Sequence, residues 1–213
     1  AAFALAFLLL IGRSGAQAQT EVDLGLVIAV DISYSMDVEE QELQREGFAE
    51  AFRAPLVHNA IRNGMLGRIA VTYMEWAGAA DQRVMVPWTV LDDPETILAF
   101  ADRIASVPLR RAQRTSVSGA IDAAARLFEE LGLEATRKVI DVSGDGANNQ
   151  GRSVVQARDE AIARGINGLP IMLKNPGYLD VPQLDIYFRD CVIGGQGAFM
   201  VPAREPSQFQ QAI

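Results

Sequence analysis

The sequence predicts an α/β fold: a doubly wound, mostly parallel sheet with one antiparallel edge strand and helices on both faces. Three observations carry that expectation. The uninterrupted apolar runs at residues 26–30 and 139–142 have the composition of parallel strands buried on both sides. Segments with helical spacing alternate with the strand-like ones. One link, residues 78–81, is too short to hold a helix, so the strand after it must turn back antiparallel.

Each element has a local reason. The first strand ends at Asp31, and Asp37, Glu39 and Glu40 then open a helix, where acids complement the positive end of the helix dipole. Phe48, Phe52 and Leu56 recur every four residues and mark its buried face, and Asn63-Gly64 stops it. Residues 68–76 and 83–91 form the hairpin, with Pro87 placing the second strand at a sheet edge. Asp93 caps the next helix and Pro94 takes its first position. Ile97, Phe100, Ala101 and Ile104 give its apolar stripe, and Pro108 ends it. A basic loop, Arg110 to Arg114, runs into a helix whose core face is Val117, Ile121, Ala124, Phe128 and Leu131. The strand 138–142 follows, then a helix over 153–164 closed by Gly165. Residues 166–173 read as a strand made irregular by Gly168 and Pro170. Residues 179–191 read as mostly helical, 198–201 as a short last strand, and 206–213 as the start of a truncated last helix. Residues 21–213 are expected to form a single domain.

Composition narrows the function classes. The chain has 213 residues, 49 % of them hydrophobic, which is enough for a packed core. A net charge of −8 repels phosphate backbones and argues against nucleic acid and anionic lipid as partners. Residues 1–11 are apolar, and Ala16-Gln17-Ala18 has the small-x-small form of a signal-peptidase site. Residues 1–18 are therefore expected to be an export signal that has lost its start. That places the protein in the periplasm or outside the cell, with no integral membrane segment after cleavage. Cys191 is the one cysteine and His58 the one histidine, so neither an internal disulfide nor a Cys/His metal cluster can form. Cys191, beside Val192 and Ile193, reads as a small buried hydrophobe.

The chemistry is concentrated where buried strands leave the sheet. Alternate residues of an extended segment point the same way, so Asp31, Ser33 and Ser35 can converge just past the first strand. One carboxylate and two hydroxyls make a hard, all-oxygen surface suited to Mg²⁺. The same serines also fit as cap and turn residues for the following helix. In doubly wound sheets, ligands bind outside the carboxyl ends of the strands where strand order reverses. Thr115, ahead of the central helix, and Asp145, after the strand 138–142, fall on that edge. With these five residues in place, the sequence resembles the von Willebrand factor A-type domain with its metal-ion-dependent adhesion site. The pattern is Asp31-x-Ser33-x-Ser35, then Thr115 before a helix, then Asp145-Gly146 after a buried strand. It also resembles a bacterial exported branch of that superfamily described as of unknown function, through Tyr73-Met74-Glu75-Trp76, residues 141–146 with Asn148-Asn149, and Asp190-Cys191-Val192-Ile193-Gly194-Gly195.

The resemblance implies that Ser33, Ser35 and Thr115 supply hydroxyl oxygens to Mg²⁺, with Mn²⁺ or Ca²⁺ as substitutes. Asp31 and Asp145 would bind directly or through water. It implies a monomeric module that binds a protein or peptide through an Asp or Glu carboxylate at an open coordination position. Two carboxylates only balance a divalent cation, so an ion held through water stays electrophilic toward a third. Glu75 reads either as a support for this site or as a solvated strand-end acid. Asn148 and Asn149 rim the crevice or only make a turn. Arg110, Arg111 and Arg114 steer an acidic partner or are simply solvated. Trp76 and Trp88 read as packing residues, and His58 has no assigned role. Two other functions remain open at this point. A phosphatase-like hydrolase also carries an Asp at the end of its first strand, but Ser33 stands where its second, proton-shuttling Asp is needed. A structural envelope subunit with a decayed site would not need all five ligands.

Overall fold

The fold is built on five strands in the order β3-β2-β1-β4-β5. The structure, a computed structural model, describes residues 20–175, 177 and 181–213; the expected export signal lies outside the described residues. β1 (Glu21–Asp31) occupies the centre. It pairs in parallel with β2 (Ile69–Trp76) on one side and β4 (Glu134–Gly144) on the other. β5 (Gly165–Pro170) pairs in parallel with β4. β3 (Gln82–Leu91) is antiparallel to β2 at the edge. The reversal of strand order between β1 and β4 puts the loops after both strands side by side. Val27 to Val30 are at most 2 % exposed. Each such valine or isoleucine side chain contributes roughly 1.5–3 kcal/mol by leaving water, which explains why the centre of the sheet needs no polar anchor.

Helices cover both faces and divide the core in two. On one face α1 (Val38–Arg53) and α3 (Pro94–Ala105) bury Phe48, Phe52, Phe100 and Ile104 against Ile28, Val30 and Tyr73. On the other, α4 (Val117–Leu127) and α5 (Val154–Ala161) pack Ile121, Ala124 and Ala157 against Val27, Ala29 and Val142. Trp88 closes that layer: its ring lies 5.6 Å from Phe128 and its Nε1 donates to the Leu127 carbonyl at 3.0 Å. Phe128 and Leu131 are buried as expected, but beyond the last turn of α4.

The structure departs from the sequence expectation at four places. The helix expected to run to Asn63 breaks at Ala54, which is extended (φ −71, ψ 134) because the residue before a proline is forced out of the helical region. A separate α2 (Pro55–Arg62) follows, and Leu56 is 79 % exposed instead of continuing the buried stripe. β5 is regular through Gly168, whose missing Cβ lets the Phe188 ring approach; a Cβ there would lie 2.8 Å from its Cδ1. Pro170 is harmless as the strand's last residue. Within 179–191, residue 181 onward is described and the helix is short: α6 (Leu184–Tyr187) passes into a π-helical turn (Phe188–Val192) that also leaves Cys191 half-buried. The expected last strand is reduced to isolated bridges from Met200 to Gly168 and from Ala203 to Ile171. The chain then makes a 3₁₀ turn (Pro206–Gln208) and α7 (Phe209–Ala212).

Asp141 sits opposite Ile28 in the β1–β4 pairing and accepts a 2.7 Å bond from Asn167 Nδ2. Burial pushes its carboxyl up to about 6, against the pull of the Asn167 bond and the Arg137 charge. A carboxyl raised on folding holds its proton longer than in the unfolded chain, so stability falls as pH rises from about 4 to about 6. Asp141→Asn should flatten that fall in thermal melts across this window; an unchanged slope would place the carboxyl in water.

Candidate metal centre

Asp31 is the last residue of β1, and its side chain is fully buried. Three contacts hold the chain there. Gln44 Nε2 from α1 donates to the Asp31 carbonyl at 3.0 Å, the Ile32 amide donates to the Trp76 carbonyl at 2.9 Å, and the Ser33 amide donates to Asp31 Oδ1 at 2.7 Å. A Cβ on Gly144 would stand 2.8 Å from Asp31 Oδ2 and 3.2 Å from Trp76. Only glycine, then, lets the β4 end close over this carboxylate. Oδ2 has no hydrogen-bond partner among the described residues. Burial and then the Asp145 charge push the Asp31 carboxyl up to about 8, against the Ser33 groups and the Asp145 backbone N–H. An oxygen so placed calls for a proton or a cation.

The other predicted residues gather around it. Ser33 Oγ lies 2.8 Å from Ser35 Oγ, and the Ser35 hydroxyl donates to Asp145 Oδ1 at 2.6 Å. Ser35 Oγ and Thr115 Oγ1 flank Gly146, 3.7 and 3.8 Å from where a Cβ would stand. The three loops thus bring two carboxylates and three hydroxyls to one rim of the sheet. All five donors are oxygen, which fits a small hard divalent cation rather than a soft one. Among the described residues no group of three or more His, Cys, Asp or Glu has a metal-binding arrangement. The hydroxyls therefore carry the donor count.

Thr115 is positioned by residues that the sequence left as rim or turn. Asn149 Oδ1 accepts from the Thr115 amide at 2.9 Å, and the Asn149 amide returns a 2.8 Å bond to the Thr115 carbonyl. Asn148 Oδ1 accepts from the Ser118 amide at 3.0 Å, and its own amide donates to the Tyr187 hydroxyl at 3.0 Å. Together they staple the start of α4 to the β4 loop. Arg114, just before Thr115, is held at φ +72, a left-handed conformation that costs a non-glycine residue about 1–2 kcal/mol. The basic loop is tied down as well. Arg110 Nη1 donates to both Asp81 oxygens at 2.9 and 3.0 Å, and Arg111 Nη2 donates to the Tyr34 carbonyl at 2.6 Å. Glu75 is 4 % exposed, with Arg110 Nε 3.5 Å away; burial raises its carboxyl, which rules out the solvated alternative. Trp76 is a packing residue, and His58 Nε2 lies 2.8 Å from the Phe52 carbonyl at the break between α1 and α2.

Residues 21–213 match a family described as "Protein of unknown function (DUF1194)". The chain belongs to this family. No curated protein matches it. Among solved structures, the von Willebrand factor type A protein from Catenulispora acidiphila superposes with a TM-score of 0.62 at 16 % identity, covering 89 % of this chain and 41 % of that one. Proximal thread matrix protein 1 from the mussel byssus, in a structure with a zinc-occupied MIDAS motif, gives 0.61 at 11 %, covering 91 % and 46 %. The pilus adhesin SpaC from Lactobacillus rhamnosus GG gives 0.60 at 12 %, covering 92 % and 29 %. The chain spans less than half the length of each of these proteins. At these identities the likeness establishes the fold, which is that of a von Willebrand factor A-type domain.

Removing the Asn149 side chain would orphan the Thr115 amide. Asn149→Ala should therefore cost about 1 kcal/mol in urea unfolding, while Asn149→Asp, which keeps the acceptor, should lose less than half of that. Equal losses would mean that the staple does not depend on this oxygen.

Proposed function

We propose that residues 21–213 form a single, non-enzymatic binding module in which Asp31, Ser33, Ser35, Thr115 and Asp145 hold Mg²⁺. The module binds a protein or peptide partner through an Asp or Glu carboxylate. The observation that carries this reading is the buried, partnerless Asp31 Oδ2 facing Asp145 beside a chain of hydroxyls. The bound ion would supply a Lewis-acidic position for the partner's oxygen. The chain's own residues do the rest. Ser33 and Ser35 donate lone pairs without adding charge. Asp31 and Asp145 bring two negative charges, enough to retain a divalent ion and too few to quench its attraction for a third carboxylate. Asn149 fixes Thr115, and Lys174 Nζ, 3.7 Å from Asp145 Oδ2, adds positive charge beside that carboxylate.

An adhesion or assembly role in the bacterial envelope agrees with the likeness to a pilus adhesin and a thread matrix protein, and with the export signal expected at residues 1–18. Among the described residues no helix is long and apolar enough to cross a membrane. Against a phosphatase reading stands Ser33, 1 % exposed and hydrogen-bonded where a mobile proton-carrying acid would be needed.

Mg²⁺ at one hundred times its Kd should stabilise the protein by about 2.7 kcal/mol, or about 5–10 °C in Tm for a domain of this size. Asp145→Ala and Ser35→Ala should lose the shift. A shift of the same size in Asp145→Ala would overturn the assignment.

A further inference from the structure

Three arginines lie in the loop that leads to Thr115, and the structure gives them different roles. Arg110 is taken up by Asp81, to which it donates twice. Arg111 is exposed but committed: Nη2 donates to the Tyr34 carbonyl at 2.6 Å, and the guanidinium lies 5.2 Å from the centre of the Tyr34 ring. Arg114 is exposed and makes no hydrogen bond or ion pair with a described residue. Its backbone is nonetheless fixed on both sides. The Ala112 amide donates to the Ile32 carbonyl at 3.0 Å, and the Ser116 amide donates to the Ala77 carbonyl at 2.7 Å. The turn between β2 and β3 closes against it, since a Cβ on Gly78 would lie 3.5 Å from Arg114 Cβ. A free cation thus stands on a fixed base, one residue from the proposed metal ligand Thr115. A glycine would hold its φ of +72 without strain, so the backbone gives no reason for a long cationic side chain at this position.

We infer that Arg114 is a second anchor for the partner, pairing with a further carboxylate of the segment whose acid meets the metal. The inference rests on the binding reading above and narrows its ligand to a segment with neighbouring acidic residues. On a chain of net charge −8, a second acid on an incoming segment is repelled unless a cation faces it. Arg114 is the arginine of this loop left free to do so. Reach agrees with charge. Consecutive Cα atoms are about 3.8 Å apart, and an extended segment advances about 3.3 Å per residue, so the step from Thr115 to Arg114 corresponds to one or two residues of a bound peptide. A guanidinium can take a carboxylate through two parallel N–H···O bonds, and here it would do so from a preordered backbone. The metal then supplies affinity for any carboxylate, and Arg114 favours segments rich in them.

The test titrates the full chain by NMR, in saturating Mg²⁺ at low ionic strength, with N-acetyl-Glu-Glu-Glu-amide and N-acetyl-Gln-Glu-Gln-amide. The quantity read is the ratio of the two affinities, compared between wild type and variants, so the statistical advantage of three acids cancels. An exposed ion pair is worth up to about fivefold in affinity. The ratio should therefore fall about threefold to fivefold in Arg114→Gln and stay near the wild-type value in Arg114→Lys, which keeps the charge. A backbone role for residue 114 would move both variants alike. Arg62→Gln, at the exposed last residue of α2, removes the same charge and should leave the ratio unchanged. A ratio unchanged in Arg114→Gln, or an equal fall in Arg114→Lys or Arg62→Gln, would overturn the second anchor while leaving the carboxylate reading standing. If Gln-Glu-Gln binds Asp145→Ala as tightly as the wild type, the carboxylate reading itself fails, and the inference falls with it.

Discussion

A carboxylate taken out of water must find a proton or a cation, and the centre of this fold is arranged around one such group. Asp31 ends the middle strand of a parallel sheet, where both faces are covered and no water reaches Oδ2. The neighbouring parts accommodate that group without neutralising it. Gly144 lacks the Cβ that would strike Oδ2, Trp76 fills the space behind, and Gln44 grips the backbone carbonyl and leaves the carboxylate alone. A fold that gains nothing from a buried charge has reason to keep it only if something charged is bound there. Asp145 adds to the demand from the loop after the adjacent strand, so the two acids destabilise each other unless a cation lies between them.

The remaining donors have no such built-in tension and must be placed by neighbours. Thr115 lies in a loop, and a loop hydroxyl is only as well positioned as the contacts holding its backbone. Asn149 grips both its amide and its carbonyl, and Arg114 absorbs the backbone turn that precedes it. Arg110 reaches from the same loop to Asp81 and the buried Glu75, joining the basic segment to the end of β2. The strand ends, the α4 start and the Arg110–Arg114 loop thus form one connected rim. Displacement of any one of them would be felt at the hydroxyls, which explains why so many polar side chains are ordered around a site of five oxygen-bearing residues.

Much of this was legible in the sequence because the signals are local. Apolar runs ending in Asp31 and near Asp145 mark strand ends, alternation puts Ser33 and Ser35 on one side, and a four-residue link forces β3 to run antiparallel. Pro55 also carried a local signal, since a residue before proline leaves the helical region, but the Phe48-Phe52-Leu56 spacing masked it. The supports of the site were not legible in the same way. Asn149 and Thr115 are 34 positions apart. Glu75 is buried only because Arg110 arrives from another loop, and Lys174 reaches Ser35 across 139 positions. Such pairings exist only once the sheet has brought the loops together. The irregular stretch from Leu184 to Val201 differs from its sequence expectation for a related reason: its conformation is set by packing Phe188 and Val192 onto β5, not by its own periodicity.

The central claim is that this rim holds a divalent cation among its five oxygen-bearing side chains, and crystallography with Mn²⁺ addresses it most directly. Mn²⁺ favours the same oxygen donors as Mg²⁺ and is visible by anomalous scattering. The account predicts a single strong anomalous peak between Ser33, Ser35, Thr115 and Asp145, in contact with the three hydroxyls and within one water of Asp31 and Asp145. A fully occupied peak elsewhere on the molecule, with none at this rim, would contradict it.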